Sequence, residues 1–260
     1  MDTAPITPLP RCPIAARGLT LRSTCEGCSG RPPNGQITLD RGDILARGGT
    51  PAESVFAITE GWVRESLIDA DGRRTTTRFV GPGHIVGSDA LAYGVHHATL
   101  DALQPARVCV VLARNIALAL VERPRLGMAL AQALADDLEA IRIRVARSAQ
   151  SARDRVLSIL RELLATTPPG AWGTLPASRS DLAEALGLTL ETVSRQVQQL
   201  HREGFIDVHG RHVRLLPEPQ AGGAATREHA SDPPAIASSA LPRQGDLPCH
   251  ADDTPSPAKS

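Results

Sequence analysis

Residues 178–206, SRSDLAEALGLTLETVSRQVQQLHREGFI, hold two short apolar periodicities separated by a glycine, and their reading decides the fold. Ser178-x-x-Asp181 is a capping signal for a first helix. Leu182, Leu186, Leu188, Val193, Val197 and Leu200 then make one shared apolar core, with Gly187 in the turn, which is the pattern of a helix-turn-helix. The second helix has two faces. Val193, Val197 and Leu200 point inward, while Glu191, Ser194, Arg195 and Gln198 follow one another at i, i+3, i+4 and i+7 on the outside. Such a face suits a DNA major groove. Arg195 can bond guanine O6 and N7 bidentately, Glu191 can accept from cytosine N4, and Ser194 can reach a base or a phosphate. Ser180 and Thr192 are grouped with these four as candidate contacts to double-stranded DNA. An acid on a DNA-facing surface repels phosphate, so Glu191 makes sense mainly as a base reader. The plain alternative is a helical hairpin with a solvated polar face.

Working outward, FIDVHGRHVRLLP (205–217) reads as a hairpin wing that closes a DNA-binding domain over 151–216. Beyond it, 217–260 is rich in Pro, Ala, Ser and Gly with few large apolar residues, the composition of a disordered tail. On the N-terminal side, 114–150 is Ala- and Leu-rich. There Leu134, Leu138, Ile141 and Val145 step by 4, 3 and 4, a coiled-coil seam that predicts a long dimerisation helix or, equally from spacing, a helix lying on a core. If it pairs in parallel with its copy, Asp137 at a g position meets Arg142 of the other helix at e, and Asp136, Asp137 and Glu139 repel wherever the packing is imperfect. Arg142, Arg144, Arg147, Arg153, Arg155 and Arg161 form a candidate basic patch.

Earlier still, VFAIT, WVRESLI, TTTRFV and ARVCVVL are β-prone runs punctuated by Gly42, Gly49, Gly61, Asp71-Gly72, Gly81-Pro82-Gly83 and Gly87, the texture of a β-barrel or sandwich over 36–113. Residues 1–35 carry Pro, Gly, Arg and Cys without a period and read as an arm. Among 260 residues, 28 basic side chains balance 28 acidic ones, which removes any argument from net charge for nucleic-acid or membrane binding. Aromatic content of 2% leaves the cores to Val, Ile, Leu and Ala. No basic start is followed by an apolar run, and no stretch is long enough to span a bilayer, so a cytoplasmic protein without a membrane partner is expected. Five cysteines, an odd number, fit reduced thiols or metal ligands better than a disulfide framework. Taken alone, Cys25-x-x-Cys28 could hold zinc or be a thiol pair, and Cys109 could be a buried strand residue.

The order of these segments resembles the CRP/FNR superfamily of bacterial transcription regulators, and in particular its FNR type, the oxygen-responsive fumarate-and-nitrate-reduction regulator. The resemblance covers about residues 25–216 and is carried by GDILARGGTPAESVFAITEGWVR, GPGHIVGSDALAYGVHHATLDALQPARVCVV and the helix-turn-helix stretch. It implies an α+β chain with a jelly roll of the cyclic-nucleotide-binding type, a dimerisation helix and a C-terminal winged helix-turn-helix. It further implies a homodimer that reads TTGAT half-sites through Glu191, Ser194 and Arg195, works with RNA polymerase and is not an enzyme. In FNR proteins a 4Fe-4S cluster is held by three cysteines of the arm and one of the β-domain; Cys25, Cys28 and Cys109 match. No cysteine follows Cys28 where the family places the third arm ligand, which leaves Cys12 as the substitute and Cys249 as a spare thiol. Soft thiolates suit such a cluster and would pin the arm to the barrel. Zinc, a disulfide switch or no metal remain as alternatives.

The cyclic-nucleotide branch binds phosphate through Gly-Glu and Arg-Ser pairs; here the matching positions read Gly87-Ser88-Asp89 and His97-Ala98-Thr99, without the arginine, so cyclic AMP is not expected. His84, His96 and His97 read as surface residues of barrel loops. A cupin-type metalloenzyme would need histidines converging inside the barrel, whereas adjacent His96 and His97 point to opposite sides of a strand. An iron-sulfur electron carrier would leave the helix-turn-helix without purpose.

Overall fold

The computed structural model describes residues 35–122 and 124–217. The arm with Cys12, Cys25 and Cys28, and the expected tail after Pro217, lie outside the described residues. Two antiparallel four-stranded sheets form the N-terminal domain. One has the order β1 (Gln36–Leu39), β8 (Ala106–Leu112), β3 (Ser54–Glu60), β6 (Ile85–Val86); the other has the order β2 (Ile44–Ala46), β7 (Thr99–Ala102), β4 (Val63–Ile68), β5 (Arg74–Val80). Their inner faces alternate apolar side chains, and Phe56, Ile58, Val86 and Val108 of one sheet meet Val63, Val80, Leu100 and Ala102 of the other. This is the jelly roll expected from the sequence. At Gly61 a Cβ would stand 2.4 Å from the Pro105 carbonyl oxygen, and φ is +79°, so the β3–β4 turn requires glycine.

The outer face of β3 and β8 is also apolar. Val55, Ala57, Cys109 and Val111 pack there against α1 (Asp89–Ala92), α2 (Ala113–Glu122) and α3 (Pro124–Arg147) through Ala90, Ile116, Ala119, Leu126 and Ala133. The single helix expected over 114–150 is therefore two, because Pro124 cannot continue α2 but suits the first position of α3. Gly127 lies inside α3 without ending it. After Arg147 the chain turns, and Ser151 caps α4 (Ala152–Leu163) by accepting from the Asp154 amide at 3.2 Å.

Along α3 two stripes run side by side. Leu126, Ala133, Asp137, Ala140 and Arg144 share the face turned to the β-domain, whereas Leu134, Leu138, Ile141 and Val145 are 40%, 47%, 45% and 66% exposed in the isolated chain. Asp137 departs from its expected place at the seam. Its carboxylate contacts Arg78 of the same chain at 2.9 Å and faces His84, and Arg142 lies 3.7 Å from Glu139 of its own helix. Burial works against the Asp137 charge, yet the His84 hydrogen bond and the Arg78 guanidinium hold its pKa below the ordinary range.

The C-terminal domain consists of α4, β9 (Trp172–Thr174), α5 (Arg179–Leu186), α6 (Leu190–Arg202) and the hairpin β10 (Ile206–His209)–β11 (His212–Leu215), with strand order β10-β11-β9. Its core joins Val156, Leu160, Leu182, Val193, Val197, Leu200, Ile206 and Val213. Phe79, Leu103 and Trp62 of the β-domain extend this same cluster, so the two domains share a core.

His96 overturns the expectation of a surface histidine. It is 4% exposed, its ring lies 6.0 Å from that of Phe56, its Nδ1 has no hydrogen-bond partner, and Asp89 is 4.0 Å away. His97 next to it is exposed and held to Asp89. Burial pushes the His96 pKa down, outweighing the pull of Asp89, so the folded protein holds a neutral ring where the unfolded chain would take up a proton below about pH 6.5. A depressed pKa stabilises the fold most above the unfolded value, and this share is lost as pH falls from about 6.5. Thermal melts are expected to show a midpoint that declines from about pH 7 to about pH 5.5, with a shallower decline in His96→Phe. Equal slopes in the two proteins would discount His96.

A candidate DNA-binding face

Helix α5 begins with a complete capping box. The Ser178 hydroxyl accepts from the Asp181 amide at 3.2 Å, and the Asp181 carboxylate accepts from the Ser178 amide at 2.8 Å. The helix ends at Gly187, whose left-handed φ of +59° and ψ of 39° satisfy the last carbonyls and turn the chain in three residues to α6. Thr189 caps α6 by accepting from the Thr192 amide at 3.1 Å. Val193, Val197 and Leu200 are buried, which fixes the rotation of α6 and sends its other face to solvent.

On that face Glu191 and Arg195 have side chains 84% and 63% exposed and paired at 3.1 Å one turn apart, with Gln198 exposed beyond them and Ser194 half-buried between. The structure brings these four together as the i, i+3, i+4, i+7 spacing requires. Ser180 is exposed on the first turn of α5. Thr192 is half-buried and its hydroxyl is shared with Thr189 at 2.8 Å, so it serves the cap of α6. The wing is braced by Arg214, which pairs with Asp207 across β10–β11 and lies 5.0 Å over the Trp172 ring.

Two arginines of the expected basic patch are paired with carboxylates distant in sequence. Arg144 pairs with Glu162 at 3.1 Å, and Arg153 with Glu203 at 2.6 Å while stacking 4.5 Å over Phe205. These arginines fasten helices to one another, and spacing along one strand of sequence could not reveal Glu203.

Sequence reasoning passed over the strongest ionic feature of the molecule. Arg64 on β4 and Asp101 on β7 are register partners on the outer face of their sheet, 6% and 7% exposed, and bonded at 2.8 and 3.1 Å. The same guanidinium donates to Asp181 of the α5 capping box at 2.9 Å and lies 3.9 Å from Glu184. Glu184 also accepts from Thr76 at 2.8 Å and pairs with Arg74 at 3.3 Å. Burial opposes the Arg64 charge, but the Asp101 hydrogen bond and three carboxylates raise its pKa above the ordinary range. A charge in the middle of each apolar run, WVRESLI and TLDAL, is the signal that could have found this pair.

Cys109 is half-buried on the outer face of β8, among the residues that meet α2 and α3. Its register partner on β1 is Gln36, and the Val110 amide donates to the Gly35 carbonyl at 3.1 Å. Gly35 and Gln36, the first described residues, therefore lie beside Cys109. No group of three or more His, Cys, Asp or Glu side chains among the described residues could hold a metal ion. No helix among them is long and apolar enough to cross a membrane.

Comparison with known proteins accounts for both domains. Residues 36–122 match the cyclic nucleotide-binding domain family, and residues 154–220 match the Crp-like helix-turn-helix domain family. The chain belongs to the CRP/FNR superfamily of transcription regulators. It is 29% identical over 189 residues to transcriptional regulatory protein btr of Bordetella pertussis, covering 71% of this chain and 78% of that one. It is 28% identical over 183 residues to transcriptional activator protein FnrA of Stutzerimonas stutzeri, covering 68% and 75%. Among solved structures, FixK2 from Bradyrhizobium japonicum superposes with a TM-score of 0.65 at 27% identity, over 70% of this chain and 91% of that one. As a CRP/FNR-type regulator the chain binds DNA, and its helix-turn-helix is the Crp-like domain.

Proposed function

We propose that this regulator is of the FNR type: a cytoplasmic homodimer that binds TTGAT palindromes under anaerobic conditions, contacts RNA polymerase, and responds to oxygen through a 4Fe-4S cluster rather than to cyclic AMP. The observation that carries the DNA reading is the outer face of α6, where Glu191, Ser194, Arg195 and Gln198 stand together over a fully buried inner face. The seam of Leu134, Leu138, Ile141 and Val145 supports the dimer, because an aliphatic stripe this exposed on a 24-residue helix gains most by pairing with its copy. Two such subunits would set their recognition helices about one DNA turn apart. Asp137 then holds α3 to Arg78 of its own barrel, and the dimer contact falls to the aliphatic stripe.

The cluster reading is supported by Cys109. Cys28 precedes Gly35 by seven positions, a reach of at most about 25 Å, and Gln36 is the register partner of Cys109. Cys12, Cys25, Cys28 and Cys109 would be the ligands, and the cluster would supply an oxygen-labile thiolate-iron centre. Cys109 itself packs against the helix layer that contains α3, so a ligand drawn to its sulfur lies next to the start of the proposed dimer helix. Relatives named as anaerobic regulatory proteins, from Haemophilus influenzae and Pasteurella multocida, are 24% identical to this chain over 182 residues, and the anaerobic part of the proposal follows them.

Protein purified anaerobically should show a 4Fe-4S Mössbauer and absorption signature that decays in air together with TTGAT binding, and Cys109→Ser and Cys12→Ala should each abolish it. A colourless anaerobic protein that still binds the palindrome would leave zinc or thiols as the sensor.

A further inference from the structure

Where the β-domain, α3, α4 and the end of α5 meet, they enclose a cavity of about 90 Å³. Four arginines line it: Arg78 of β5, Arg144 and Arg147 of α3, and Arg155 of α4. Their charges are unequally answered. Arg78 is paired with Glu65 and Asp137, and Arg144 with Glu162. Arg147 has no carboxylate partner among the described residues and is hydrogen-bonded to the Ser158 hydroxyl, while Arg155, half-buried, has neither an ion pair nor a hydrogen bond among them. The wall thus holds four guanidinium groups and one carboxylate, Glu162, while Glu65 and Asp137 answer Arg78 from outside the lining, and two adjacent helices each direct an unanswered cation to the same space.

Planar guanidinium groups grip a tetrahedral oxyanion with paired N–H donors, and do so most strongly where water is partly excluded. The volume limits the guest. It is well below the roughly 300 Å³ at which pockets for drug-sized ligands begin. We propose that this cavity is a binding site for a phosphate-class oxyanion, either inorganic phosphate or the terminal phosphate of a small metabolite, held chiefly by Arg147 and Arg155 with Ser158 between them.

Such a ligand would join three parts of the chain that move separately only if this junction opens. Arg147 ends α3, Arg155 lies in the first turn of α4, and the Arg155 Nη2 is 4.0 Å from where a Cβ on Gly187 would stand, at the turn before α6. A bound oxyanion therefore favours the arrangement in which the helix-turn-helix is docked on the β-domain, by as much as it binds that arrangement better than an open one. The site is separate from both the DNA-reading face and Cys109, and its test does not depend on either.

Isothermal titration of the full chain with inorganic phosphate, against chloride of matched ionic strength, should give saturable binding and a rising melting temperature. Arg155→Gln and Arg147→Gln should each weaken the apparent Kd by about tenfold or more, as loss of a charge-assisted contact requires, without changing the melting temperature in chloride. Arg195→Ala, on the exposed DNA face, should bind phosphate as wild type does. A small phosphomonoester that binds at least as tightly as inorganic phosphate would identify the guest as a metabolite's phosphate; one that binds more weakly would identify the free ion. Absence of saturable binding, or binding that survives both glutamine variants, would overturn the site.

Discussion

Arg64→Ala is expected to destabilise the protein by about 3–5 kcal/mol, more than any other single charged-to-alanine change among the described residues. The reason is not the strength of the ion pairs but what remains without them. Asp101 is 7% exposed and accepts two bonds from Arg64, so removing the guanidinium leaves an ionised carboxylate buried at the seam between domains. Asp181 would keep its capping bonds to Ser178 and lose only the third partner. A double-mutant cycle separates these parts at one fixed protein concentration, since the proposed dimerisation would add to apparent stability. Arg64→Ala and Asp181→Ala should couple, with Asp181→Ala costing in the Arg64→Ala background little more than the roughly 1 kcal/mol of a lost cap. Replacing both Arg64 and Asp101 by leucine should recover most of the loss, because no charge is then stranded. Simple additivity of Arg64 and Asp181 in urea melts would show that the domains do not meet through this contact. Acid should act on the same group. Burial tends to raise the Asp181 pKa, but the Ser178 hydrogen bonds and Arg64 lower it below the ordinary range, so its stabilisation is complete above about pH 4 and is lost as pH falls through the folded value.

This interdomain lock also marks where the sequence stops being legible. VFAIT, WVRESLI, TTTRFV and ARVCVVL fall within or overlap β3, β4, β5 and β8 because each is rich in β-branched and aromatic residues and is bounded by turn signals. The short partners β2, β6 and β7, of two to four residues, carry no such signal; β6 and β7 are strands because β3 and β4 offer them a ladder, and β7 in turn offers one to β2. Asp101 reads as a turn residue until Arg64 is placed opposite it, and nothing local brings together positions 37 apart. On the helices the opposite error arises. The 4-3-4 step of Leu134, Leu138, Ile141 and Val145 is plain, but the next stripe, with Ala133, Asp137 and Arg144, is equally periodic, and only the barrel decides which one it covers. Two breaks were nonetheless written out: Pro124 at the start of α3, and Ser151-x-x-Asp154 at the start of α4. The helix-turn-helix was fully readable because its capping box, its αL glycine and its apolar spacing are all local, and all three agree.

Arg195→Ala is expected to cost about 1–3 kcal/mol of binding to a TTGAT palindrome and to remove the preference for guanine at the contacted position. Little of that loss can come from the fold. Arg195 and its partner Glu191 are both largely in water, where an i,i+4 pair contributes a few tenths of a kcal/mol, and the inner face of α6 is sealed by Val193, Val197 and Leu200. The pair matters instead for geometry: Glu191 holds the guanidinium on the exposed side of α6, the side proposed to enter the groove, and releasing it to a base exchanges one charged acceptor for two neutral ones. The two residues should then differ in sign on non-specific DNA. Arg195→Ala removes a cation and weakens binding to any duplex, whereas Glu191→Ala removes an anion that repels phosphate, so binding to random DNA tightens while the TTGAT preference falls. Competition assays with palindromes substituted at the guanine decide the matter. A base contact predicts that Arg195→Ala loses clearly more affinity for the intact site than for the substituted one, and that the two affinities converge. A phosphate contact predicts equal losses on both and a salt slope lower by about one, and that outcome would remove Arg195 from the reading set while leaving α6 in the groove.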